Sequence, residues 1–428
     1  MRRRNNALQI IAAILFILIL IAGIYVWLIY KKNTAPKSES VTIYYYEPIS
    51  MELIPQKVSA ELPENPVLKV EKIVNLLKTP RASSGLFPVL NKDATVNSVR
   101  FNNGICTVDL NEKATEIKPL TVRMEAITVY GLVNTLTEIN GITAVQITID
   151  GRKRKYFNHY IEVDEPLTHL STALPTGKTV ALYFATPDFS HLAVEEREVV
   201  NTQNPVTLGK EILRELFYGS IDGLSSTFPK DTKLNDFYIK SGGIGVVDIS
   251  SSILKHPLGS GGEQLRVMSL VNTLTDLPDI SAVRILIDGK PVNTLYGSVD
   301  TSNPIPRFLG ITQDNDVVIP YYTLKIGGKT FFCPFVKTIE GKDRITELFN
   351  LLKVPDNGFG TYISANTKLS SFSQNKNSGI LTLNITTGNT SEKDVENIAK
   401  ELVLSYKEFP DINKVKVKIN GVLINVFQ

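Results

Sequence analysis

One stretch of this chain is written three times, and that repetition limits the fold more than any other feature. Residues 132–152 read LVNTLTEINGITAVQITIDGR and residues 270–290 read LVNTLTDLPDISAVRILIDGK, with 13 of 21 positions identical and no gap. Residues 402–422, LVLSYKEFPDINKVKVKINGV, match the second stretch at 8 of 21 positions. The offsets are 138 and 132 residues. Solenoid repeats recur about every 20–50 residues, so a period this long means three copies of one domain.

The other elements recur in the same order. Each copy opens on an extended run: VTIYYY (41–46), TVALYF (179–184) and VVIPYY (317–322). A second extended segment follows, clearest as FFCPFVKTI (331–339). Next comes an amphipathic helix. Ile345, Leu348, Phe349 and Leu352 stand at helical spacing in copy three, and Val67, Val70, Val74 and Leu77 mark the stripe in copy one. Asn65-Pro66 and Asn204-Pro205 read as an N-cap with proline at the first helical position. A hairpin with Asn and Gly at its turn comes next, then a second helix ending in the repeated stretch. Asp150-Gly151, Asp288-Gly289 and Asn420-Gly421 then predict turns into a short edge strand. The expected fold class is α+β: tandem β-β-α-β-β-α-β-β units, each a mixed sheet with both helices on one face. The domains are expected at 41–155, 178–295 and 316–428, each with its own core. Linkers are expected near 156–177 and 296–315, where Pro, Ser, Thr and Asp accumulate.

Ahead of the first copy, residues 10–30 carry no charge. As a helix rising about 1.5 Å per residue they would match a hydrocarbon core about 30 Å thick. Trp27, Tyr25 and Tyr30 gather at one end, as in an aromatic belt, and Arg2, Arg3 and Arg4 precede the span. The expectation is a signal anchor: 1–9 cytoplasmic, 10–30 transmembrane, 31–40 a polar tether, and the rest outside the cytoplasm. The run is longer than a cleaved signal peptide's apolar region, and the two cysteines, Cys106 and Cys333, lie far from it, against a lipoprotein signal. Six of the basic residues fall in 1–40 against one acid, leaving the body slightly acidic. That argues against a nucleic-acid partner, which requires a basic stripe.

The repeated L-V-N-T-L-T (Leu132 to Thr137, Leu270 to Thr275) followed by a strand ending I-D-G resembles the GerM family and its GerMN domain. A P-x-x-T-x-L at Pro229, Thr232 and Leu234 fits the same pattern. The resemblance spans nearly all of 41–428. In copy three Leu404 and Ser405 replace the Asn-Thr pair, and Asn420 replaces the Asp. The resemblance implies a ring-building-motif-like fold and a role in sporulation or spore germination.

No standard catalytic or cofactor constellation appears. There is no H-E-x-x-H, C-x-x-C, G-x-S-x-G or G-x-G-x-x-G, and both G-K-T tripeptides lack the earlier glycine of a phosphate loop. His159, His169, His191 and His256 do not recur between copies. Asp109 and Asp248 share a strand end, matched by Asn384; they read as turn-satisfying carboxylates, with acid or base work as the alternative. Asp150, Gly151, Asp288 and Gly289 read as turn residues. Asn134 and Asn272, with Thr135 and Thr273 beside them, interrupt the helical stripe; they either bond a neighbouring strand or loop or form a recognition surface. Arg152, Lys153, Arg154 and Lys155 are the one dense basic run and read as a solvated strand end rather than a polymer site. The residues point to a membrane-anchored, extracytoplasmic, non-enzymatic assembly module without cofactors. Its partners would be other proteins of a spore-related assembly, the cell wall or a second copy of itself. The alternatives are a peptidoglycan- or polysaccharide-binding protein and a hydrolase with its site between copies.

Overall fold

The computed structural model describes residues 20–25, 37–79, 85–308, 316–341 and 343–426. Of the expected membrane span, only residues 20–25 are described, as helix; the rest of it, the cytoplasmic N-terminus and residues 31–36 lie outside the described residues. Among the described residues no helix is long and apolar enough to cross a membrane. The chain divides after Gly177 into two compact units.

The first unit is copy one. Strands β1 (Lys37–Glu47) and β2 (Glu52–Leu62) form an antiparallel hairpin. Helix α1 (Pro66–Leu76) starts as the Asn-Pro signal predicts: the Asn65 side chain accepts from the Val67 and Leu68 N–H groups. Strands β3 (Val96–Asn102) and β4 (Ile105–Leu110) make the second hairpin, α2 (Val122–Thr137) follows, and β5 (Ala144–Ile149) lies parallel to β4.

The element order is the expected one, but the sheet is not single. The opening hairpin is a two-stranded sheet of its own, and β3-β4-β5 is a separate three-stranded sheet. Along β1, a side chain of α2 takes the Tyr44 N–H and Phe87 bridges Tyr46. The closing edge strand is reduced in copy one to a bridge between Ile149 and Arg152.

The second unit holds copies two and three. Copy two contributes β6 (Gly177–Ala185), β7 (Leu192–Val200), α3 (Pro205–Tyr218), β8 (Leu234–Lys240), β9 (Ile244–Ile249), α4 (Ser260–Leu274), β10 (Ala282–Ile287), β11 (Lys290–Pro291) and β12 (Ile305–Pro306). Copy three contributes β13 (Val317–Val318), β14 (Tyr321–Ile326), β15 (Lys329–Pro334), β16 (Lys337–Thr338), α5 (Arg344–Leu352), β17 (Lys368–Asn375), β18 (Ile380–Thr386), α6 (Glu392–Tyr406), β19 (Lys414–Ile419) and β20 (Val422–Ile424).

The two copies do not keep separate cores. Their opening hairpins join edge to edge in one four-stranded sheet, ordered β14-β15-β7-β6. One continuous apolar core runs from Leu182 and Phe184 through Tyr322 and Cys333 to Ile419. A second cluster forms around Tyr183, Leu192, Val194, Phe308, Ile319, Tyr321, Phe332 and Leu404, drawn from both copies. Small units bury too little surface alone, and fusing two of them raises the buried fraction.

The expected linkers are also structured. Phe157 and Val163 after copy one, and Val299, Ile305 and Phe308 after copy two, are buried. Each segment returns to the last strand of its own copy at the same register: Leu167 bridges Val145, and Ile305 in β12 opposes Val283. Their polar composition concealed apolar residues spaced for docking.

Candidate functional site

The repeated polar residues converge on the second helix of each copy, where strand, helix and return segment meet. The Thr135 hydroxyl accepts the Tyr44 N–H at 3.0 Å. Thr273 does the same for Tyr183, and Ser405 for Tyr321, each at 3.0 Å. Copy three therefore keeps the hydroxyl although it lacks the threonine. A buried backbone donor left unpaired costs about 1–3 kcal/mol, so one hydroxyl on a helix fixes the opening strand in every copy.

One residue earlier, Asn134 clamps the return segment. Its side-chain oxygen accepts the Leu170 N–H at 2.8 Å and its Nδ2 donates to the Leu170 carbonyl at 3.1 Å. Asn272 accepts the Phe308 N–H at 2.9 Å, while its Nδ2 is buried without a partner. Both asparagines are fully buried. In copy three the equivalent Leu404 packs into the cluster shared with Phe308 and Tyr321.

A third anchor was missed in the sequence. Glu125, fully buried, accepts backbone N–H groups of Asn158, His159, Tyr160 and Ile161. Glu263, at the same position of α4, accepts those of Leu295, Tyr296 and Ser298. Burial pushes the Glu263 carboxyl up, but the backbone donors at Tyr296, Ser298 and Val299 outweigh it and hold the group below its usual range. The signal was available: Glu recurs at the 138-residue offset, a few residues ahead of the L-V-N-T-L-T stretch.

The aspartates shape turns. Asp150 and Gly151 have φ of 47° and 74°, and Asp288 and Gly289 have 46° and 76°, the two left-handed residues of a type I′ turn. Asp109 accepts the Gly151 N–H and the Thr148 hydroxyl, both at 2.7 Å. Asp248 accepts the Gly289 N–H at 2.9 Å. Asp150 and Asp288 each accept from an asparagine amide on the first strand of the second hairpin, Asn97 and Asn235. In copy three Asn384 turns to Ser371 instead.

Where copies two and three meet, a charged cluster is largely shielded from solvent. The Tyr183 and Tyr321 hydroxyls are 2.7 Å apart. Arg307 forks onto Glu408 at 2.6 and 2.8 Å and reaches the Tyr183 hydroxyl at 2.7 Å. Tyr321 donates to Glu408 at 2.7 Å, and Asp276 takes both Arg307, at 3.0 Å, and Lys407, at 2.9 Å. Burial lifts the Tyr183 phenol to about 12. Burial also opposes ionisation of Asp276, yet Lys407 and Arg307 hold its carboxyl below the usual range. The counterparts in copy one are Tyr44, Glu138 and His169, with the acid and the imidazole exposed. Tyr44 donates to Glu138 at 3.3 Å and contacts His169 Nε2 at 3.5 Å.

The remaining candidates are dispersed. His191 contacts Ser190, and His256 contacts Asp231. Cys106 and Cys333 are buried free thiols, pushed up to about 12 by burial. In the basic run, Lys153, Arg154 and Lys155 pair with Glu165, Glu112 and Glu162. Among the described residues no group of three or more His, Cys, Asp or Glu side chains is placed to hold a metal ion.

Comparison with protein families follows the same three-part division. The family model described as "Germane: Sporulation and spore germination" matches residues 42–155, 181–293 and 325–424. The spore germination protein GerM of Bacillus subtilis (strain 168) is 28% identical over 220 residues, 47% of this chain and 59% of that protein. The match thus spans less than two thirds of that relative's length. Among solved structures, the tandem GerMN domains of B. subtilis GerM match at 20% identity and a TM-score of 0.27, over 64% of this chain and 98% of that one. A putative lipoprotein of Clostridium perfringens matches at 29% identity and a TM-score of 0.23, over 32% of this chain and 93% of that one. With three matched segments that together cover most of its length, this chain belongs to the Germane family of sporulation and spore germination domains.

Proposed function

We propose that this protein is a non-enzymatic assembly module of bacterial sporulation or spore germination, held to a membrane by residues 10–30 with its three domains outside the cytoplasm. The observation that carries the reading is the use made of the repeated polar groups. Asn134, Thr135, Asp109, Glu125 and their counterparts spend their hydrogen bonds on the chain's own backbone. What the copies share is a means of holding strands and return segments, and copies two and three pack on each other through the strands so held. Family membership and the similarity to a spore germination protein support the process.

The test is complementation in a spore-forming host. Asp109→Asn with Asp248→Asn keeps an acceptor for each glycine N–H and removes both charges. The double variant should restore sporulation or germination to a deletion strain. A placed acid or base contributes about 10²-fold or more, so an enzyme using these groups would lose its activity. A folded, normally localised variant that fails to complement refutes the reading. Protease added to intact protoplasts should remove the domains; full protection would reverse the proposed orientation.

A further inference from the structure

Copies two and three pair as a two-fold dimer would, although they belong to one chain. Val194 in β7 lies opposite Phe332 in β15. Within the hairpins, Tyr321 faces Pro334 and Tyr44 faces Pro55; the bond from the Thr186 N–H to the His191 carbonyl continues to the same pairing of Tyr183 with Val194. Val194, Pro334 and Pro55 are therefore equivalent, and so are Leu192, Phe332 and Leu53. An antiparallel contact of Val194 with Phe332 puts a local two-fold axis at Ala193 and Cys333. The Tyr183–Tyr321 hydroxyl contact joins equivalent residues across that axis. This is the geometry of an isologous interface.

Copy one has the same parts. Among the described residues β2 is paired on one side only, with β1. Between β1 and the two helices lies a recess of about 230 Å³ whose lining includes Val41, Ile73, Thr135, Glu138 and Ile139. Position for position, these match Val180, Ile212, Thr273, Asp276 and Leu277 of a recess of about 210 Å³ in copy two. There the lining is completed by Val403 and Leu404 of α6, so the second helix of copy three is seated at the groove. The unpaired edge of β2, on a copy that carries the matching recess, is a template for the same pairing.

We infer that copy one binds copy one of a second chain in the arrangement that copies two and three adopt within one chain, making the protein a homodimer. The axis falls at Ile54, with Leu53 opposite Pro55 of the other chain. In that register Glu52 faces Gln56 and Lys57 faces Met51, so no like charges oppose each other. The second helix of each chain, bearing the half-buried Tyr130, meets the other's recess. His169 meets Glu138 across the axis as Arg307 meets Glu408. This names a partner within the assembly reading above, and its test reads association rather than a sporulation phenotype, so the two can fail separately.

The experiment uses the full chain purified in detergent. Light scattering after gel filtration should give a protein mass of two chains that falls towards one on dilution. Ile54→Cys should oxidise to a disulfide-linked dimer, because opposed residues in antiparallel strands have Cβ atoms about 4.5–5.5 Å apart. Asn103→Cys, in the turn of the second hairpin, should not, and the buried native thiols give little background. Pro55→Lys, at an exposed position, should weaken dimerisation at least tenfold with the fold intact. A monomer at all concentrations overturns the inference. So does a dimer in which Ile54→Cys crosslinks no faster than Asn103→Cys, or capture at Ile54→Cys in cells of a different protein without any chain-to-chain product.

Discussion

Tyr183 and Tyr321 hold the same position in two copies, and their hydroxyls meet at 2.7 Å inside the second unit. Each is also tied by its N–H to its own second helix, through Thr273 and Ser405. The bond that closes each copy and the bond that joins the two thus hang on the same strand residue. Around them the buried Glu408 and the partly buried Arg307, Asp276 and Lys407 complete a set in which every charge has an opposite partner.

Breaking that set should be costly. Glu408→Ala removes the carboxylate on which both Arg307 and Tyr321 rest, and a buried pair that loses one member costs about 3–5 kcal/mol. Denaturant unfolding should show a loss near the low end of that range, since Asp276 still faces Arg307. A loss under about 1 kcal/mol would mean the cluster is solvated.

The fused core makes a prediction about cooperativity. Leu136 and Leu274 are equivalent, fully buried residues of α2 and α4. Replacing either with Ala should cost about 2–5 kcal/mol. Calorimetry should show Leu274→Ala lowering one transition shared by copies two and three, and Leu136→Ala lowering that of copy one. Separate transitions for copies two and three would contradict the shared core.

The helix hydroxyls can be tested singly. Thr135→Val keeps shape and removes the acceptor for the Tyr44 N–H, which should cost about 1–3 kcal/mol. Hydrogen exchange at the Tyr44 amide should accelerate. Unchanged protection would show that the strand is held by packing alone.

Glu401 gives the second unit a pH signature. Burial lifts its carboxyl to about 8, against the bonds from the Thr361 hydroxyl and the Tyr362 N–H. The folded state therefore keeps a proton that the unfolded chain releases above about pH 4.3, so stability falls as pH rises from there to about 8. Glu401→Gln removes this dependence and keeps an acceptor oxygen for the Tyr362 N–H, with its amide NH2 donating to the Thr361 hydroxyl. The variant's stability relative to the unsubstituted protein should rise between pH 5 and pH 8; a flat difference would refute the assignment.

The return segments carry the last prediction. Glu125→Ala strips the acceptor from the N–H groups of the loop 158–161. Limited proteolysis should then cut within that loop before the strands of copy one. Cleavage elsewhere first would show that Phe157 and Val163 hold the loop unaided.

Periodicity and turn chemistry are local, and the sequence alone determined what depends on them: three copies, their element order, the Asn-Pro helix starts and the positive-φ turns at Asp150-Gly151, Asp288-Gly289 and Asn420-Gly421. What the polar repeat residues bond was not local. Thr135 meets a strand residue 91 positions away, and Asn134 meets a carbonyl 36 positions away. The pairing of copies two and three was decided only in the tertiary structure, because an edge strand reads alike whether its outer side faces water or another strand. The same holds for the segments taken as linkers: their few apolar residues, Phe157, Val163 and Phe308, show no period, and only the surface they dock on gives them meaning.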